Sequence, residues 1–247
     1  MGTYIDKVHR YFRFSPTEMR ALLITIIVVG VIWGWNDGAK EFVFANYMKH
    51  MVISIAIAGV AILVKESTHK LMGLSAGYRV EYQMWLYGLI LALAVCIVSR
   101  GYIPLIITGG FMLHHMAMHR LGFFRYGTNT LDLGMIALMG PIANIIFATI
   151  IMNIHLYIIP LGPIAPEFFK FSLVFAVMNL LPIPPLAGSK FFFRTRLGFF
   201  FIFGFILVYT IFIYFFDIYS WFLGLLGALI VWGSFYLLFE KDAMDWP

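Results

Sequence analysis

The sequence predicts an all-α, polytopic integral membrane protein with six to eight transmembrane helices, and two observations predict it. Of 247 residues, 62% are apolar or aromatic and only 12% are charged, whereas soluble domains carry roughly a quarter charged residues. Mean hydropathy is +0.91. The few charges are also segregated. Charge-free windows fall at 21–36, 50–64, 82–99, 101–119, 133–166, 171–189, 197–216 and 218–239, and a helix needs about 20 such residues to cross a bilayer. A soluble monomer is excluded. Residues 21–240 read as a single membrane domain with no stretch left to bury a second core, and 241–247 as a short tail.

Residues 1–20, MGTYIDKVHRYFRFSPTEMR, are basic and aromatic without a long apolar run, which suits an interfacial segment on the cytoplasmic leaflet. The run from Ala21 leads into Trp33, Trp35 and Asn36 with no small-residue cleavage site, so it reads as a retained crossing. Window 101–119 holds Pro104, Gly109, Gly110 and three histidines, and there a re-entrant hairpin is an alternative to a crossing. Window 133–166 is long enough for a broken or tilted helix, interrupted at Gly140 and Pro141. The aromatic windows after Phe191 read as lipid-facing and belt residues, with Gly224 and Gly227 permitting a close helix contact.

With the N-terminus inside and eight crossings, thirteen basic residues fall inside: Lys7, Arg10, Arg13, Arg20, Lys65, Lys70, Arg79, Arg120, Arg125, Lys190, Arg194, Arg196 and Lys241. Four fall outside: Lys40, Lys49, Arg100 and Lys170. This bias predicts a multi-pass protein of the cell membrane with a cytoplasmic N-terminus. The net charge of +5 then reflects cytoplasmic loops, with the lipid bilayer as partner and no nucleic acid. A single cysteine, Cys96, excludes an intrachain disulfide and a thiolate metal cluster.

Two stretches carry unusual chemistry for their depth. LVKESTHKLMGLSAGYRVEYQMW ends an apolar helix with Lys65, Glu66 and His69; helical spacing puts Lys65 and His69 on one face with Glu66 beside them. MNLLPIPPLAGSK places Asn179, Pro182, Pro184 and Pro185 at the end of a crossing. Proline forces the backbone out of helix there, which is tolerated at depth only in a cavity or against protein. A more ordinary reading has Lys65 and Glu66 snorkelling to the interface with His69 solvated.

These stretches resemble the site-2 protease family of intramembrane zinc metalloproteases, in its compact archaeal branch. FRFSPTEMRALLIT is similar to that branch's opening segment, KESTH lies where it has H-E-x-x-H, MGPIANIIFA resembles its G-P-x-x-N helix, and NLLPIPPLAGSK its N-x-x-P-x-P-x-L-D-G-x-K end. The site-2-protease-like core then spans about 50–190. In that family two histidines and an aspartate hold zinc, and the glutamate activates its water.

Two of the three ligand positions differ here: Lys65 replaces the first histidine and Ala187 the aspartate, leaving His69 and a relic general base, Glu66. One histidine does not make a catalytic zinc site, and an ammonium repels a divalent cation by several kcal/mol even at an effective dielectric of about 20. Lys65 is therefore expected to replace the ion as the cation that offsets Glu66. The resemblance implies that Asn144 and Asn179 face a cavity that holds an extended partner segment, with Pro182, Pro184 and Gly188 at its irregular end as further partner-binding positions, or else that the asparagines bond between helices. Gly140, Pro141 and Gly188 read as backbone devices.

FMLHHMAMHR gathers Met112, His114, His115, Met116 and His119. On a helix His115 and His119 share a face with Met112, a donor set for Cu(I) or zinc. The expectation is a metal-free, catalytically degenerate member of the family that binds or scaffolds membrane partners, as a subunit or assembly factor of a membrane complex. The alternatives are an active protease with zinc rebuilt on His69 and the 114–119 histidines, and a Cu(I)- or zinc-handling protein using the Met/His cluster.

Overall fold

The computed structural model describes residues 4–36, 38, 43–116, 129–216 and 220–241. Helix α1 (Tyr4–Tyr11) precedes α2 (Pro16–Gly34). The start of α2 is written in S-P-T-E: Ser15 Oγ accepts from the Glu18 N–H at 3.2 Å and Glu18 Oε2 accepts from the Ser15 N–H at 3.0 Å. This reciprocal pair satisfies two end donors, and Pro16 needs no donor in the first turn. Helix α3 (Phe44–Ala76) runs 33 residues to Gly77, whose φ of 88° turns the chain into β1 (Tyr78–Met84).

Along β1, Tyr78, Val80 and Tyr82 are buried while Arg79 and Gln83 are exposed, the two-residue period of a strand with one covered face. It pairs antiparallel with β2 (Gly109–His115), from Tyr78 opposite His115 to Met84 opposite Gly109. Helix α4 (Leu86–Val98) lies between the strands in sequence. Then follow α5 (Thr130–Tyr157), α6 (Ile164–Asn179), α7 (Ala187–Phe192), α8 (Arg196–Phe216) and α9 (Trp221–Phe235), the last extended by a π-helical turn, Tyr236–Glu240.

Helix α3 forms the centre of the core. Its Ile57, Ala58, Ala61 and Ile62 are buried with Leu22 and Val29 of α2, Ala148 of α5 and Phe171 and Phe175 of α6. Alanines at the contact let helices approach closely where lipid supplies no hydrophobic drive between them. Gly227 lies against Val208, so the small residues of α9 serve its packing on α8.

The chain is mostly helical, and five helices are long and apolar enough to cross a membrane: Pro16–Gly34, Phe44–Ala76, Thr130–Tyr157, Arg196–Ile213 and Trp221–Glu240. These make it a multi-pass membrane protein with the bilayer as its surroundings. Three windows differ from expectation. Window 82–99 divides between the end of β1 and the 13-residue α4. The described part of 101–119 ends in β2, so an otherwise helical fold carries one two-stranded sheet, and on the outer edge of β1 side chains answer the backbone, the Tyr82 N–H on Glu18 Oε1 and the Val80 carbonyl on Lys70. Helix α5 continues unbroken through Gly140 and Pro141.

Candidate functional site

Four segments far apart in sequence meet around one buried cluster: the C-terminal half of α3, residues 108–111 leading into β2, the middle of α5 and the end of α6. Lys65, Glu66 and His69 are 1%, 2% and 1% exposed, so they are enclosed by protein and do not snorkel. Lys65 Nζ lies 3.0 Å from Glu66 Oε1. It donates to Asn179 Oδ1 at 3.0 Å and to Thr108 Oγ1 at 3.1 Å. Thr108 in turn donates to Asn179 Oδ1 at 3.2 Å, and Asn179 Nδ2 donates to the Phe175 carbonyl at 2.7 Å. The ammonium thus has three oxygen partners and the Phe175 ring at 5.3 Å, the company a cation needs when removed from water.

The other face of Glu66 meets His69, with Glu66 Oε2 3.3 Å from Nδ1. His69 Nε2 is buried without a partner and lies against Gly140, where a Cβ would collide with the imidazole. Phe111 of β2 packs on the same imidazole at 4.7 Å between centroids. Asn144, one turn beyond Gly140 on α5, is 1% exposed, and neither its amide nitrogen nor its oxygen has a partner.

Ala187 opens α7 inside an apolar cluster with Tyr78, Val80, Phe111, Ile136 and Ala137. Gly188 lies against the Leu180 carbonyl, a contact that leaves no room for a side chain. Pro182 and Pro184 are exposed on the irregular turn between α6 and α7. Lys190 reaches back to donate to the Phe111 carbonyl and lies over the Phe111 ring at 3.6 Å. Burial pulls its ammonium down to about 8; Glu66 opposes this and Lys65 adds to it.

The zinc implied by the resemblance can be tested against these donors. Lys65 is an engaged ammonium, Ala187 offers no donor atom, and His69 has one nitrogen on Glu66 and the other closed off by Gly140. Among the described residues no three His, Cys, Asp or Glu side chains gather into a metal-holding group. The donor set does not fit a divalent metal, which normally requires three protein ligands and an open position.

The Met/His cluster is arranged differently from the helical expectation. Residues 112–115 are strand, so Met112 and His115 fall on opposite faces. His114 Nε2 is 3.4 Å from Glu81 Oε2, Met112 Sδ accepts from Gln83 at 2.9 Å, and His115 packs on Tyr78 at 5.0 Å. Met116 follows the strand, its N–H on the Gly77 carbonyl at 3.3 Å. His119 lies outside the described residues.

Sequence reasoning missed three participants. Thr108 and Phe111 sit in the window read as a crossing or a re-entrant hairpin, where the Met/His cluster that follows is the only feature to draw a site reading. The third is a second buried pair, Lys70 and Glu18, with Nζ 2.9 Å from Oε1. Glu18 lies in the segment 1–20 that reads as interfacial, and nothing in the sequence marks it as a partner for Lys70.

The fold and site therefore define a multi-pass helical membrane protein with a buried, ion-paired centre. No family model matches the chain, and comparison with curated proteins and with solved structures likewise gives no match.

Proposed function

We propose that this chain is a metal-free relative of the site-2 proteases, with six to eight crossings, a cytoplasmic N-terminus and no proteolytic activity. Its former reaction centre holds a membrane segment of a partner protein, and the chain acts as a subunit or assembly factor of a membrane complex. The observation that carries this reading is the Lys65–Glu66 contact of 3.0 Å, at the motif position where the family has a metal ligand beside its general base. An ammonium there supplies the positive charge that Glu66 requires, and without a metal there is neither an activated water nor an electrophile for hydrolysis.

Two further features support it. The segments with motif likeness, 65–69, 140–144 and 179–190, converge on one centre although they are dispersed in sequence. Asn144 keeps both amide atoms unpaired in a buried position, a cost of about 1–3 kcal/mol per unsatisfied group that a bound segment would offset by hydrogen bonding. Helices α4 and α6 are the candidates for crossings beyond the five long helices.

Metal analysis of the purified chain, beside the variant Lys65→His with Ala187→Asp, tests the reading. It predicts no stoichiometric metal in the wild type and zinc uptake by the double variant. Cleavage of a membrane substrate by the wild type, lost in Glu66→Gln, would instead make the chain a protease. Stoichiometric copper lost on replacing Met112 and His114 would make it a metal-handling protein.

A further inference from the structure

The centre has an odd number of fixed charges. Lys65 and Glu66 offset each other at 3.0 Å, and Lys70 and Glu18 form a separate pair at 2.9 Å. Lys190 remains. It is only partly exposed, its partners are the carbonyl and ring of Phe111, and among the described residues no carboxylate is paired with it. An ammonium at the edge of a low-dielectric centre with one carbonyl and a ring face for company is under-compensated. Three positions before Lys190, on the same face of α7, stands Ala187, with no polar atom to answer it. The Asn144 amide on α5 is a second unsatisfied polar group, 1% exposed.

We propose that the membrane segment received by this centre carries an acidic side chain, aspartate or glutamate, that pairs with Lys190. This rests on the partner-binding reading above and adds the chemistry of the partner. The carboxylate completes the charge balance of the centre, and Lys190 discriminates among membrane segments by penalising those that leave it unpaired. A segment with a lone carboxylate gains in turn, since such a group is costly in the bilayer until it finds a cation.

The test uses the full chain in phosphatidylcholine vesicles and two synthetic single-span Leu/Ala peptides, identical except for one central Asp or Asn. Binding is followed by energy transfer from a donor on the chain to an acceptor on the peptide. The Asp peptide is expected to bind about tenfold more tightly than the Asn peptide. Lys190→Met removes that preference. Ala187→Asp also removes it while keeping Lys190, because a built-in carboxylate three residues away pairs with the ammonium first; thermal unfolding of both variants verifies that they are folded. Equal binding of the two peptides to the wild type overturns the acidic-partner inference and leaves the partner-binding reading standing. Binding of neither peptide overturns both. A preference that persists in folded Lys190→Met overturns the assignment to Lys190.

Discussion

The chain buries two lysine–glutamate pairs whose lysines both stand on α3, and they are built to different standards. In the Lys70–Glu18 pair nearly every group is answered. Glu18 Oε1 takes Lys70 at 2.9 Å and the Tyr82 N–H at 2.7 Å; Oε2 takes Lys70 at 3.0 Å and the Ser15 N–H at 3.0 Å. Lys70 also donates to the Val80 carbonyl at 2.9 Å and the Arg13 carbonyl at 3.2 Å. The pair joins the start of α2, the end of α3 and β1. The Lys65–Glu66 pair is held by side chains from α3 and α6 and by Thr108, and beside it His69 Nε2 and both Asn144 amide atoms go unpaired. A satisfied buried network fixes a fold, whereas one with open valences is the mark of a site. On that contrast the first pair reads as a clamp and the second as the candidate site.

Breaking the clamp is expected to have the largest effect. Glu18→Leu strands Lys70 and two backbone donors, and should lower stability by about 3–5 kcal/mol, read as loss of the folded, detergent-soluble protein or a large drop in thermal midpoint. Restoring apolar balance with Lys70→Met should rescue little, because the Tyr82 and Ser15 N–H groups stay unanswered.

Next in size is Asn179→Leu, which removes the acceptor shared by Lys65 and Thr108 and should cost about 2 kcal/mol by thermal unfolding. Gly140→Ala comes third. The intrinsic helix gain of about 1 kcal/mol is outweighed by collision with His69, so a net loss is expected. The smallest and most diagnostic change is Asn144→Leu. Its polar atoms have no partners to lose, so stability should hold or rise by up to about 2 kcal/mol. A clear loss would mean that Asn144 belongs to the clamp class.

Much of this was legible in the residues, and what was not has a physical reason. Membrane character follows from charge segregation, but the start of α2 at Pro16 does not, because Glu18 and Arg20 put the edge of the charge-free window at Ala21. Lys65, Glu66 and His69 lie within one helical turn and a half, so their meeting needed only the helix. The alternation of Tyr78, Val80 and Tyr82 with Arg79, Glu81 and Gln83 signals a strand, but the charge-free window beginning at 82 cuts it in half. The continuity of α5 through Pro141 was hidden because proline alone argues for a break. The Lys70–Glu18 pair and the placement of Thr108 and Phe111 join residues tens of positions apart, which only the packing of α2, the β1–β2 pair and α6 onto α3 brings together.

The central claim is that Lys65 is the cation that keeps Glu66 in the interior, and a double-mutant cycle measures it most directly. Thermal and chemical unfolding of the wild type, Lys65→Met, Glu66→Gln and the double variant gives the coupling between the two positions. The account predicts that Lys65→Met is strongly destabilised and that Glu66→Gln rescues it, with a coupling of about 2–3 kcal/mol. Additivity within about 0.5 kcal/mol would contradict it.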